Sequence, residues 1–155
     1  MSENADNPGI IIHPPVFYIV ATIIGLAIDY LMPLSFGFTD ITKTVSLVIL
    51  ALGTIVLVLG FKMFSTDKQS PSVHEPTNAV YQSGIYAYSR NPIYLGVLLW
   101  MISGALFFDK TWIMIMAFIL IFFMNKVVIE KEEAYLEEKF GEDYLAYKQK
   151  VRRWI

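Results

Sequence analysis

The sequence predicts an all-α, polytopic membrane protein with about four transmembrane helices and a C-terminal amphipathic cytosolic helix. Hydrophobic residues fill 55% of its 155 positions and charged residues only 17%, against about 25% charged residues in soluble domains. The apolar residues are gathered into stretches that approach the roughly 20 helical residues needed to cross a bilayer. Lipid accepts apolar side chains on every face of a helix, so this excess indicates a membrane protein.

The apolar stretches divide a single domain, residues 1–155, into elements separated by short polar breaks. Pro14 and Pro15 suit the entry of the first helix, since proline is tolerated in a first turn. The adjacent charges of Asp109 and Lys110 favour a tight hairpin between the last two spans over one long helix. The predicted elements are spans at 16–34, 44–64, 93–108 and 111–129, a cytosolic loop at 65–92 and a C-terminal helix at 130–150.

Basic residues are distributed unevenly between the two predicted membrane faces. Lysine and arginine cluster in the tail and around the 65–92 loop, whereas the opposite loops hold only Lys43 and Lys110. Positive residues favour the cytoplasmic side, so we expect both termini, this loop and any site they form to be cytosolic. The first dozen residues lack the basic start of a cleavable signal peptide.

Composition also excludes several classes of function. The net charge of −2 argues against a nucleic-acid partner, because no basic stripe exists to neutralise phosphates. The chain has no cysteine, which removes disulfides, thiolate metal sites and cysteine nucleophiles. His13 and His74 are too few to build a rich metal site, so we expect no metal. The expected partners are membrane lipids and a lipophilic or lipid substrate.

The stretch "YAYSRNPIYLG", residues 86–96, places polar residues at the threshold of the third span. Pro92 suits the first turn of that helix, which puts Arg90 and Asn91 at its mouth. Free backbone N–H groups and the positive end of the helix dipole attract anions there. Arginine adds a forked donor for a carboxylate or phosphate. The alternative is an ordinary helix cap with an arginine that reaches the headgroups.

The tail carries an apolar stripe with helical spacing, and one acidic residue interrupts it. The stripe residues are Ile129, Glu133, Leu136, Phe140, Tyr144, Tyr147 and Val151. A buried carboxylate needs a partner, because burying it alone is costly. Glu133 therefore either ties helices together by pairing with Arg90 or Lys126, or faces a ligand. Glu132 borders the same stripe, and Gly141 predicts a break or bend near "FGEDY".

Two blocks of the sequence resemble a known family. They are "PTNAVYQSGIYAYSRNPIYLG" and "EKEEAYLEEKFGEDYLAYKQKVRRWI". Together they resemble the integral-membrane isoprenylcysteine carboxyl methyltransferase and phospholipid methyltransferase group, over about residues 60–155. The resemblance implies S-adenosylmethionine as methyl donor and a lipophilic acceptor: an isoprenoid acid or thiol, or a phospholipid amine. It also implies a cofactor site at the cytosolic face, formed by the loop, the helix mouth and the C-terminal helix.

Carried over residue by residue, the resemblance implies catalytic roles for Arg90 and Glu133. It implies cofactor binding by His74, Gly84, Tyr86, Tyr88, Arg90, Asn91, Pro92, Tyr94, Glu132 and Glu133. Ile85 stands where the family often has proline. Enzymes of this group that act on prenylated proteins are usually longer, so the acceptor stays open.

Two other functions compete with methyl transfer. A sterol-type membrane reductase using NADPH has a similar C-terminal half, but this chain has little extra basic density for a second phosphate. A non-catalytic scaffold or transporter subunit would use Arg90 and Glu133 only to tie helices together. Asp29 is the residue to watch in that case, since an intramembrane carboxylate marks a pathway or a pairing site.

Overall fold

A computed structural model describes residues 7–37, 39–66 and 79–155, and these ranges contain helices and no strand. The elements are α1 (Pro14–Leu31), α2 (Asp40–Thr66), a 3-10 turn (Gly84–Ala87), α3 (Pro92–Phe107), α4 (Thr111–Met124), a π-helical turn (Asn125–Ile129), α5 (Glu130–Phe140) and α6 (Glu142–Lys150). The predicted all-α class is confirmed. Pro92 is the first residue of α3, and α2 extends beyond the predicted 44–64 span at both ends.

The helices have the length and surface of membrane spans. Within the described ranges, three helical segments are long and apolar enough to cross a bilayer: Pro14–Leu31, Asp40–Ser65 and the continuous Thr111–Phe140. The fourth apolar helix, α3, is shorter at 16 residues. Many large apolar side chains of α1 and α2 are exposed, which only a lipid environment makes favourable. The chain is therefore a membrane protein with three long apolar helices and a fourth, shorter one.

Glycines bring α2 and α3 into close contact. A Cβ atom added to Gly96 would lie 2.5 Å from Leu57 Cγ, and one added to Gly53 would lie 3.0 Å from the carbonyl oxygen of Gly96. Small residues let membrane helices approach closely, so that van der Waals contacts and interhelical hydrogen bonds hold them together. One such bond joins Ser103 Oγ to the carbonyl oxygen of Ser46 at 2.8 Å. The α2–α3 pair is therefore a tight frame for the start of α3.

The interior lies between α1, α3 and α4. Ala105 on α3, together with Ala117 and Met124 on α4, is fully buried there. A Cβ atom on Gly25 of α1 would lie 3.0 Å from Ile113 Cα, so α1 and α4 also approach closely. This packing fixes the ends of α3 and α4 relative to each other.

Polar residues fasten the end of the fold where α3 turns into α4. Asp29, buried near the end of α1, forms an ion pair with Lys110. The indole of Trp112 donates to the carbonyl oxygen of Met32 at 2.8 Å. Asp109 has a φ of 51°, as the tight hairpin requires, and it accepts a hydrogen bond from the Phe36 amide at 3.2 Å. Asp29 is thus a pairing residue that ties α1 to the α3–α4 hairpin.

Substituting Gly96 with alanine tests the close contact of α2 and α3. The added methyl group overlaps Leu57, so we expect a loss of about 1–3 kcal/mol in unfolding free energy. Thermal unfolding in detergent measures it. Gly104→Ala is the matched control, because a Cβ atom there meets no described atom within 4 Å. Equal stability of the two variants would contradict the close contact.

Candidate functional site

A π-helical turn connects α4 to α5, the helix that contains Glu132 and Glu133. Asn125–Ile129 lies between α4 and α5 without interrupting the helix. A π-turn adds a residue to the local repeat and often occurs at functional sites. It buries Val128 and Ile129, and Glu133 is buried one turn further on. Asn125 Oδ1 also accepts a hydrogen bond from the Trp154 indole at 3.0 Å. The turn is thus held by the end of the chain.

Glu133 is the centre of a charged cluster at the mouth of α3. It is only 4% exposed. Arg153 donates to both of its oxygens, from Nε at 2.8 Å and from Nη2 at 2.9 Å. Arg90 Nη1 lies 3.1 Å and Lys148 Nζ 3.5 Å from the same carboxylate. Hydrogen bonding to Glu133 raises the pKa of Arg153, with the opposite charge of the carboxylate adding to it.

The predicted partners of Glu133 are therefore partly correct. Arg90 does pair with it. The prediction that Lys126 pairs with Glu133 is wrong, because Lys126 pairs with Glu130 at 2.8 Å on an exposed face of the helix. Among the described residues, three cations contact Glu133: Arg90, Lys148 and Arg153. Lys148 also contacts Glu137.

Arg90 is buried, and two of its donor atoms make no hydrogen bond to the described residues. Its side chain is 8% exposed. Within the part of the chain that the structure describes, Nε and Nη1 make no hydrogen bond, although Nη1 lies beside the Glu133 carboxylate. A buried donor without an acceptor is costly. This guanidinium, at the start of α3, is suited to receive an anionic group.

The end of the chain crosses the entrance of α3. The amide of Arg90 donates to the carbonyl oxygen of Arg152 at 3.0 Å. The side chains of Ser89 and Asn91 donate to the carbonyl oxygen of Arg153, at 3.3 Å and 3.0 Å. Asn91 does not cap α3 through its side chain. It holds this segment, residues 152–154, which we call the C-terminal strap.

Three of the predicted tyrosine and tail positions, Tyr86, Tyr144 and Tyr147, line one buried wall. Tyr147 donates to the carbonyl oxygen of Tyr86 at 2.7 Å, and its ring centroid lies 6.0 Å from that of Tyr144. Burial, together with the charge of Glu133, raises the pKa of Tyr144 from 10.0 to about 12. Burial likewise raises the pKa of Tyr147 and of Tyr86. These phenols are therefore neutral near pH 7. Tyr88 differs, since it is 75% exposed.

Glu132 contacts a different set of residues from its neighbour. Tyr94 donates to Glu132 Oε1 at 2.5 Å. Tyr18, on α1, donates to the carbonyl oxygen of Tyr94 at 3.0 Å. The two adjacent carboxylates therefore face different partners: Glu133 faces cations, and Glu132 faces the phenol of Tyr94 in the first turn of α3.

The remaining predicted residues are distributed as follows. Gly84 has a φ of 60° and begins the 3-10 turn that leads to Tyr86, a conformation that glycine adopts readily. Pro92 is buried at the first position of α3. His74 lies outside the described residues. Arg90, Asn91, Tyr94, Glu132 and Glu133 are brought together by the contacts above.

Several residues of the site were not predicted from the sequence. Arg153, Lys148 and Tyr18 each make a polar contact with a predicted residue. Arg153 and Lys148 were read only as part of a basic tail, since charge alone does not tell which basic residue turns inward. The apolar stripe holds, with Tyr144, Tyr147 and Val151 buried, but Gly141 (φ 51°) divides it between α5 and α6.

Comparisons with known proteins agree with this arrangement. The sequence model of the phospholipid methyltransferase family matches residues 41–143. An uncharacterized protein from Haemophilus influenzae is 43% identical over 65 residues, which are 41% of this chain and 100% of that protein. The protein-S-isoprenylcysteine O-methyltransferase of Saccharomyces cerevisiae is 35% identical over 79 residues, which are 50% of this chain and 32% of the yeast protein.

The helical membrane fold and these matches define a class, that of the membrane methyltransferases. Within that class the chain belongs to the phospholipid methyltransferase family, whose model covers more than half of it. The resemblance predicted from the sequence is thereby confirmed. The chain spans the whole length of its bacterial relative but about a third of the yeast enzyme.

Removing the Glu133 carboxylate should destabilise the protein. Glu133→Ala leaves the buried Arg90 guanidinium without its counter-ion, and breaking a buried pair in this way costs about 3–5 kcal/mol. Thermal unfolding in detergent measures the loss. Glu138→Ala, at an exposed position of the same helix, is the control. A loss no larger than that of the control would mean that the cluster does not hold the fold.

The tyrosine wall should limit stability at alkaline pH. The pKa of Tyr144 rises from 10.0 in the unfolded chain to about 12 in the fold. The contribution of Tyr144 to the free energy of unfolding is complete below pH 10.0 and is lost as the pH rises through about 12. The reason is that the phenol of the unfolded chain releases its proton at a lower pH than that of the folded chain. Tyr144→Phe should flatten this decline in the unfolding midpoint, whereas Tyr88→Phe, at an exposed ring, should not. An unchanged decline in Tyr144→Phe would contradict the assignment.

Proposed function

We propose that this protein transfers a methyl group from S-adenosylmethionine to a lipophilic acceptor at the cytosolic membrane face. The acceptor is an isoprenoid acid or thiol, or a phospholipid amine. The observation that carries the proposal is the buried guanidinium of Arg90, which pairs with Glu133 but whose Nε and Nη1 atoms make no hydrogen bond among the described residues. Family membership supports the reaction class.

The residues at the mouth of α3 fit the polar groups of this donor. Arg90 and the first turn of α3 would hold its carboxylate, since a forked guanidinium and a helix N-terminus both favour an anion. Glu132 would accept hydrogen bonds from its ammonium or ribose hydroxyls. The ring of Tyr86, and those of Tyr88 and Tyr94, would lie near the adenine or the sulfonium, because aromatic faces attract cations. His74 remains a proposed contact from the loop.

Glu133 would act on the donor through Arg90. Its oxygens already accept from Arg153 and lie beside Arg90 and Lys148. A carboxylate so engaged has little capacity left for a ligand. We therefore propose that Glu133 orients the guanidinium of Arg90, while Tyr94 orients the carboxylate of Glu132 through its 2.5 Å hydrogen bond.

When bound, S-adenosylmethionine supplies an electrophilic methyl group on its sulfonium. The protein then has to align the acceptor and exclude water, and no protein nucleophile is needed. The buried Tyr18 and the partly buried Tyr94 would close the bilayer side of the mouth. The C-terminal strap closes its polar side. An acceptor dissolved in the bilayer would enter sideways between spans.

The cytosolic placement is supported by the charge distribution. The start of α3 and the end of α4 lie on one side of the fold, as the contact of Arg90 with Glu133 requires. The tail on this side carries most of the lysines and arginines, whereas Lys43 and Lys110 lie towards the other end. Positive residues favour the cytoplasmic side.

Calorimetric titration of the purified protein in detergent tests the proposal. S-adenosylmethionine and its demethylated product S-adenosylhomocysteine should both bind, and NADPH should not. Binding of NADPH alone would favour the sterol-type reductase. Absence of binding by all three would favour a scaffold. Incubating membrane lipid extracts with radiolabelled methyl donor then identifies the acceptor.

Arg90→Lys tests the residue that carries the proposal. The substitution keeps the positive charge and loses the planar fork of hydrogen-bond donors. Affinity for the methyl donor should therefore fall about 10–100-fold, which corresponds to the free energy of hydrogen bonds to a charged group. The dissociation constant for S-adenosylhomocysteine measures this fall. Lys126→Gln removes an exposed cation on the same side of the fold and should bind as the wild type does. Wild-type affinity in Arg90→Lys would exclude Arg90 from the donor site.

A further inference from the structure

An apolar groove lies at the opposite end of the fold from the charged cluster. It runs between α1, α3 and α4 near the α3–α4 hairpin and has a volume of about 480 Å³. Met101, Ala105 and Ile113 form its floor, and the exposed side chains of Leu26 and Trp100 form its rim. The rim side chains belong to spanning helices, so the groove opens into the hydrocarbon layer.

Gly104 keeps this groove open. A glycine inside a helix is unfavourable relative to alanine unless something needs its lack of a side chain. At Gly25, Gly53, Gly60 and Gly96 the reason is contact, because an added Cβ atom would come within 3.0 Å of a neighbouring helix. At Gly104 an added Cβ atom would meet no described atom within 4 Å, and Gly104 lines the groove. The lack of a side chain at Gly104 therefore leaves space in the groove and is not needed for helix packing.

The groove is too far from the site to belong to the methyl donor. Along α3, residues 100–108 lie about 12–24 Å beyond Pro92, at 1.5 Å per residue. The groove therefore faces the leaflet on the hairpin side, whereas the charged cluster lies at the other membrane face.

Lys110 supplies a polar group at the hairpin end of the groove. Its ammonium pairs with Asp29, and the side chain is 36% exposed. An ammonium carries three donor hydrogens, so one can serve Asp29 while others face an incoming oxygen. A phospholipid presents ester and phosphate oxygens at this depth, directly above its hydrocarbon chains.

We propose that this groove binds one acyl chain of a bilayer phospholipid from the hairpin-side leaflet. Its ester and phosphate oxygens lie at Lys110, and Gly104 leaves the room that the chain fills. The inference is independent of methyl transfer, because it uses none of the residues at the mouth of α3.

Native mass spectrometry of protein purified in mild detergent tests this site. The wild type should retain one phospholipid per chain, and Gly104→Leu, which fills the groove, should lose it. Ala51→Leu adds the same side chain at an exposed position of α2 and should retain the lipid. Equal retention in wild type and Gly104→Leu would overturn the proposal. So would loss in both variants, or retention that appears only when a methyl acceptor is added.

Fluorescence gives a second measurement. Trp100 lines the groove, so phosphatidylcholine with brominated chains should quench its emission, read as the difference between wild type and Trp100→Phe. That quenching should be absent in Gly104→Leu. Thermal unfolding checks whether Gly104→Leu is folded. This variant should also bind S-adenosylhomocysteine as tightly as the wild type does. Undiminished quenching in folded Gly104→Leu would place the lipid elsewhere.

Discussion

The contact of one buried carboxylate with two arginines holds the functional end of this protein together. Glu133 belongs to α5, Arg90 to the entrance of α3, and Arg153 to the C-terminal strap. Three distant parts of the sequence are thus joined by a charge that none of them could bury alone. This cluster joins the entrance of α3, α5 and the C-terminal strap.

The membrane helices make that cluster possible by fixing the ends of α3 and α4. Glycines at the α2–α3 contact allow the backbones to approach, and the ion pair of Asp29 with Lys110 fastens the other end of the bundle. The π-turn at Asn125–Ile129 then lets an apolar helix continue into a charged one. The packing of the apolar helices therefore positions the charged cluster at one end of the bundle.

The sequence predicted those features that depend on local pattern. The apolar stretches predicted the helices, and Pro92 predicted the start of α3. The spacing from Ile129 to Val151 predicted the buried stripe. Pattern could not tell that Asn91 would bind backbone of the C-terminal strap, since that contact joins residues 62 apart. It also could not choose among basic residues of the tail. Lys126 and Arg153 both carry a positive charge, but of these two only Arg153 contacts Glu133.

The C-terminal strap has a consequence for the order in which the protein matures. The backbone carbonyl oxygen of Arg153 accepts hydrogen bonds from the side chains of Ser89 and Asn91, and the Trp154 indole donates to Asn125. Residues 152–154 follow all four apolar helices in chain order, so a ribosome makes α1 to α4 before it makes the strap. The contacts between the strap and the entrance of α3 therefore form only after those helices have been synthesised.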